Sequence, residues 1–105
     1  MGVFKVRYTT AARDDLLRLF DFLLERAQTI EEFDAAQDAI DALRAAVQDH
    51  LSRTPFIYRK AADSAFLREL IIPFGSSGYV ALYEIDGADT VNILAVRHQR
   101  EDDYH

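Results

Sequence analysis

No cysteine and no tryptophan occur among the 105 residues of this chain, methionine occurs once and proline twice. The missing thiols exclude a disulfide framework, a zinc–thiolate centre and a cysteine nucleophile, and they make a reducing cytoplasm the natural setting. Positive charge is also short: 12 Lys and Arg stand against 18 Asp and Glu, a formal net charge of −6. That balance is poorly suited to holding a polyanion, so direct sequence-specific binding of nucleic acid is not expected. No run approaches the roughly 20 apolar residues of a membrane span, and the opening MGVFKVRYTTAARDD has no signal-peptide apolar core. Histidines at 50, 98 and 105 lack metal-ligand spacing and no glycine-rich phosphate loop is found, so neither a metal nor a cofactor is implied. The length suits one domain, residues 1–105.

What is present is patterned. In VFKVRY, Phe4, Val6 and Tyr8 alternate with Val3, Lys5 and Arg7, as in a short strand with one buried face. From about Thr10 the period lengthens: Ala12, Leu16, Leu19, Phe20, Leu23, Leu24 and Ala27 form the apolar stripe of a helix, with Asp14 and Asp15 in early turns where the macrodipole favours negative charge. Thr29-Ile30-Glu31-Glu32 supplies a capping box for a second helix, whose inward positions are Phe33, Ala36, Ile40, Leu43 and Val47. Two such helices pair as an antiparallel hairpin. Pro55 ends the helical pattern, and SRTPFIYRKAADS reads as an irregular connection. A strand follows over Phe66 to Phe74, with Pro73 at an edge, bulge or strand end, and Gly75-Ser76-Ser77-Gly78 turns the chain. Tyr79 to Ile85 and Thr90 to Val96 then flank Asp86-Gly87-Ala88-Asp89 as a β-hairpin. The order β-α-α-β-β-β predicts an α+β fold, a helical hairpin packed on one face of a small antiparallel-rich sheet.

The cations are unevenly placed. Between Thr29 and Ser52 six acids face the single Arg44, whereas Arg53 to Lys60 holds three cations and no acid. Candidate anion- or target-binding residues are Arg59 and Lys60 in the connection, Arg68 inside an apolar strand, and Arg97, His98 and Arg100 at the last strand's end. Each also has a plain structural role available. Arg68 can pair with Glu69 or Glu84, His98 can bond to backbone, and Arg97, Arg100 and the acids at 101–103 can be a solvated tail lying beyond the core. Tyr79 and Tyr83 share one strand face and read as packing residues.

The segments VRYTTAARDDLLRLFDFL, LRELIIPF, GYVALYEI and TVNILAVRHQRED, in this order, resemble the RelE/ParE superfamily of toxins from toxin–antitoxin modules. The likeness spans nearly the whole chain and is most specific at Arg68, at GYVALYEI and at His98 with Arg100. It implies a cognate antitoxin encoded next door, of the ribbon-helix-helix type or similar, with a disordered tail that folds on this domain. The RelE-like branch cuts messenger RNA on the ribosome; the ParE-like branch poisons DNA gyrase without nuclease activity. Arg68 and His98 fit two catalytic positions of the nuclease branch. The third strand, however, carries Val80 near where a nuclease carries Arg. The resemblance therefore points to a ParE-like gyrase inhibitor with no catalytic residues. The alternatives are a metal-independent RelE-like ribonuclease using Arg68 and His98, or an attenuated member that only binds antitoxin.

Overall fold

The computed structural model describes residues 3–61, 64–75 and 77–101. Its elements run β1 (Lys5–Tyr8), α1 (Thr10–Arg26), α2 (Ile30–Arg53), β2 (Arg59–Lys60), β3 (Leu67–Phe74), β4 (Ser77–Asp86) and β5 (Thr90–His98). The strands form one mixed sheet in the order β1-β5-β4-β3-β2, with β1 parallel to β5 and every other pair antiparallel. Both helices pack on one face of it, the α+β arrangement expected from the element order.

Caps explain where the helices begin. Thr9 Oγ1 accepts from the Ala12 N–H at 3.1 Å and donates to the Ile93 carbonyl at 2.9 Å, so one hydroxyl starts α1 and ties it to β5. Thr29 Oγ1 accepts from the Glu32 N–H at 3.1 Å, while the Glu32 carboxylate reaches back to the Gln28 N–H at 3.4 Å, a capping box displaced by one residue. Phe33, expected in the stripe of α2, is instead 46% exposed, and the first buried residue of the helix is Ala36.

The core lies between the helices and the sheet. Leu19, Leu43, Val47 and Leu51 meet Leu70, Ile72, Tyr83, Val91, Ile93 and Val96, with Phe4, Val6 and Tyr8 packed against them as the alternation in VFKVRY requires. Tyr79, Ala81, Tyr83 and Ile85 share the covered face of β4. Opposite β4, Leu82 faces Ala95 but Tyr83 faces Ile93, so Leu94 is the extra residue of a β-bulge in β5.

Three boundaries differ from the sequence expectation. Arg59 and Lys60 are not irregular but pair with Glu69 and Arg68 as a short edge strand. Phe74 opposes Ser77, so β4 begins at Ser77 rather than at Tyr79, and Gly75 directly after β3 has φ +60°. Strand β5 runs two residues beyond Val96, with Arg97 opposite Val80 and His98 opposite Tyr79. Pro73 sits near the end of β3, past the reach of β2, where its missing N–H leaves no ladder bond unmade. Asp102, Asp103 and His105 lie outside the described residues.

Candidate functional site

A cleft of about 710 Å³ opens between α1, α2 and one end of the sheet. The C-terminal half of α1 provides Leu19, Phe22 and Leu23, and the strand ends provide Phe74, Tyr79 and His98. Across from them, α2 presents Ala35, Ala36 and Ala39, with Glu32 at its start, and the small alanine side chains leave the space open. The rim is charged, with Arg18, Arg26 and Arg100 beside Glu32 and Glu101. Phe22 stays 48% exposed with the Arg26 guanidinium stacked 4.4 Å from its ring centre. A half-apolar groove with a mixed rim suits an amphipathic segment better than a small polar substrate.

His98 stands at the floor of this cleft. Its ring meets Tyr79 edge-on at 5.6 Å, and its Nδ1 accepts the Arg100 N–H at 3.1 Å, which in the neutral ring places the proton on Nε2. Burial raises the Tyr79 phenol above its usual range, so it stays protonated and serves packing. The tail does not hang free: Arg97 Nη1 donates to the Glu101 carbonyl at 2.6 Å, and Arg18 Nη1 meets the Glu101 carboxylate at 3.0 Å.

Two residues of α1 hold this end together, Asp15, which the sequence places only as an early-turn acid, and Arg18, for which it suggests no role. Asp15 is not a solvated helix-dipole acid; it is 5% exposed, and its Oδ2 accepts the buried Val96 N–H at 2.8 Å just beyond the bulge. Arg18 lies one turn on, 3.9 Å from Asp15. The available signal was spacing, since Asp15 falls in the stripe between Ala12 and Leu19, where a polar side chain must find a buried partner. Replacing Asp15 with Ala leaves a buried N–H unpaired and should destabilise the fold by about 2 kcal/mol. Asp15→Asn, which keeps an acceptor, should lose less, and urea unfolding of both variants measures the difference.

Arg59, Lys60 and Arg68 occupy the opposite end of the sheet. Arg68 lies on β3 opposite Tyr83, but its guanidinium pairs with neither Glu69 nor Glu84. Its Nε donates to the Ala65 carbonyl at 2.8 Å and its Nη1 to the Tyr58 carbonyl. Glu69 is instead held by Arg59 at 2.9 Å, and Glu84 by Asn92 at 3.0 Å. Tyr83 donates its hydroxyl to the Pro55 carbonyl at 2.6 Å, and burial raises its pKa well beyond the ordinary phenol range. Tyr58 OH and His50 Nδ1 approach to 3.1 Å.

The structure thus brings Arg97, His98 and Arg100 together at one end and Arg59, Lys60 and Arg68 at the other. Arg68 and His98 oppose β4 residues four positions apart, Tyr83 and Tyr79. They lie on different neighbours of that strand, roughly 13 Å apart along it and two strand spacings across.

This fold is that of a known solved structure. The chromosomal ParDE TA system from P. aeruginosa aligns with a TM-score of 0.68 over 95% of this chain and 98% of that one, at 16% identity. The curated protein Toxin RelE3 of Caulobacter vibrioides is 34% identical over 90 residues, 86% of this chain and 88% of its own length. Together these define a small toxin of a type II toxin–antitoxin system. Residues 6–103 match the model of the ParE toxin of type II toxin-antitoxin system, parDE, and the chain belongs to that family. Among the described residues no helix is long and apolar enough to cross a membrane.

Proposed function

We propose that this toxin acts in the cytoplasm by binding and inhibiting DNA gyrase, and that a cognate antitoxin encoded beside it neutralises it. The observation that carries the first part is the separation of Arg68 from His98. Cleaving RNA through its 2′-OH requires a base, an acid and charge stabilisation around one phosphate. Two side chains on different strands, four positions apart along β4 and two strand spacings across, one of them already donating to two carbonyls, are not set to converge on one phosphate. A protein target needs no such convergence, because a few cations and apolar anchors at separate points suffice to grip it. Arg59, Lys60, Arg97, His98 and Arg100, with the loop held by Arg68, are the residues assigned to target contact.

The antitoxin reading rests on the cleft. Its exposed Phe22 and its wall of alanines suit the apolar face of an amphipathic helix, and the edges of the sheet offer a place for an added strand. A disordered antitoxin tail would fold as it binds there.

Purified toxin should inhibit gyrase supercoiling of relaxed plasmid and should make no ribosome-dependent cuts in messenger RNA. It should also copurify with the product of the adjacent frame on co-expression. The name of the Toxin RelE3 relative makes messenger cleavage the rival outcome. Cuts that disappear in His98→Ala would move the protein to the ribonuclease class.

A further inference from the structure

The sheet end that carries Arg59, Lys60 and Arg68 has an unusual combination of rigidity and apolar exposure. Phe56 is 49% exposed, Ile57 70% and Phe66 56%, on segments that are not helix or strand. Loops with large exposed apolar side chains are ordinarily a hazard unless they meet a partner. Here the backbone beneath them is fastened from below. The buried Tyr83 hydroxyl holds the Pro55 carbonyl, and the single Arg68 guanidinium holds the Tyr58 and Ala65 carbonyls at once. One guanidinium bonded to both carbonyls brings residues 57 and 66, their chain neighbours, to the same end of the sheet. Phe56 is further set edge-on against Phe4 at 6.1 Å.

Charge indicates what would cover this surface. The stretch Arg53 to Lys60 carries three cations and no acid in a chain whose net charge is −6. Arg59 and Lys60 follow these loop residues in the chain and both are exposed; Arg53 is paired with Asp49 and Arg59 with Glu69, so Lys60 is the cation of this stretch with no ion pair among the described residues. We infer that Ile57 and Phe66, with the exposed Lys60 beside them in the chain and with their backbone held by Arg68 and Tyr83, form the target-docking surface of the toxin, and that its occupant is an apolar pocket on gyrase with an acidic side chain at its rim to meet Lys60. This rests on the gyrase reading above and adds where the contact is made. It assigns Arg68 a positioning role that explains why an arginine stands inside an apolar strand. The surface lies away from the cleft, so an antitoxin in the cleft would cover His98 and Arg100 and leave this part of the target contact open.

The test is a double variant, Ile57→Glu with Lys60→Glu, assayed for inhibition of supercoiling by purified gyrase on relaxed plasmid. Both side chains are exposed, so the thermal midpoint should stay within about 3 °C of wild type. The concentration giving half-inhibition should rise by roughly tenfold or more. Phe66→Ser is the second variant, expected to weaken inhibition alone. Leu17→Glu, on the exposed side of α1, is the control and should stay within about twofold. If wild type inhibits gyrase and both loop variants match it, the docking surface is wrong while the gyrase reading stands. If wild type does not inhibit gyrase, the reading itself fails and the inference with it. Loss of a wild-type dimer in sedimentation, or of plasmid binding in a gel shift, as the source of the variants' defect would replace the proposed occupant by a second copy or by DNA and overturn the inference.

Discussion

Truncation after Val96 is expected to lower the thermal unfolding midpoint by about 10 °C or more, since a domain of this size shifts about 4–8 °C per kcal/mol. The sequence reading placed Arg97, His98 and Arg100 beyond the core, so that their removal would spare the fold. The structure reverses that. Arg97 and His98 are the last ladder positions of β5, and the Gln99 N–H continues the pairing by donating to the Gly78 carbonyl at 2.8 Å. Glu101 closes the segment through Arg18 at 3.0 Å. At about 1 kcal/mol for each net hydrogen bond, and with the ring of Tyr79 left uncovered, the loss comes to about 2–4 kcal/mol. Circular dichroism melts of the truncated and complete chains measure it, and an unchanged midpoint would show the tail to be dispensable. Because Tyr79 and His98 also floor the cleft, lost toxicity in the truncated chain would not identify a target contact. The single substitutions His98→Ala and Arg100→Ala are the informative ones.

Gly78→Ala should be the most damaging change of one methyl group in the chain. A Cβ built at Gly78 falls inside van der Waals contact of the Ile72 carbonyl oxygen, with the Pro73 Cα at 3.1 Å behind it. Both obstacles are backbone of the adjacent β3, which cannot swing aside as a side chain would. Overpacking of this kind costs about 1–3 kcal/mol, and parting β3 from β4 here would add lost ladder bonds. Gly87→Ala is the useful contrast. Its Cβ would meet nothing within 4 Å, and the penalty comes only from its φ of +72°, about 1 kcal/mol. Urea unfolding should therefore rank Gly78→Ala well below Gly87→Ala in stability. Equal losses would mean that the two strands separate enough at Gly78 to admit the methyl group.

The glycine of GYVALYEI is accordingly a packing requirement, and it shows how a sequence motif can be visible while its cause is not. Local chemistry determined much of this protein by itself. Thr29 and Glu32 mark the start of α2 because a capping box satisfies orphan N–H groups with side chains only three residues apart. Alternation in VFKVRY and in the last two strands reports a sheet with one covered face, and Asp86-Gly87 reports a hairpin, since both depend on neighbours along the chain. The order of these pieces, with Arg68 and His98 among them, was enough to indicate the toxin family.

Tertiary structure alone decided the rest. That Asp15 turns inward depends on the Val96 N–H, 81 residues away on β5, and no local rule couples the two. The acids nearest Arg68 along the sheet, Glu69 and Glu84, are taken by Arg59 and Asn92, and the guanidinium turns to the carbonyls of Tyr58 and Ala65. Periodicity places a side chain on a face but is silent about which strand lies beside which. It was the strand order β1-β5-β4-β3-β2, with the register of β4 against both its neighbours, that set Arg68 and His98 on different sides of β4 and four positions apart along it.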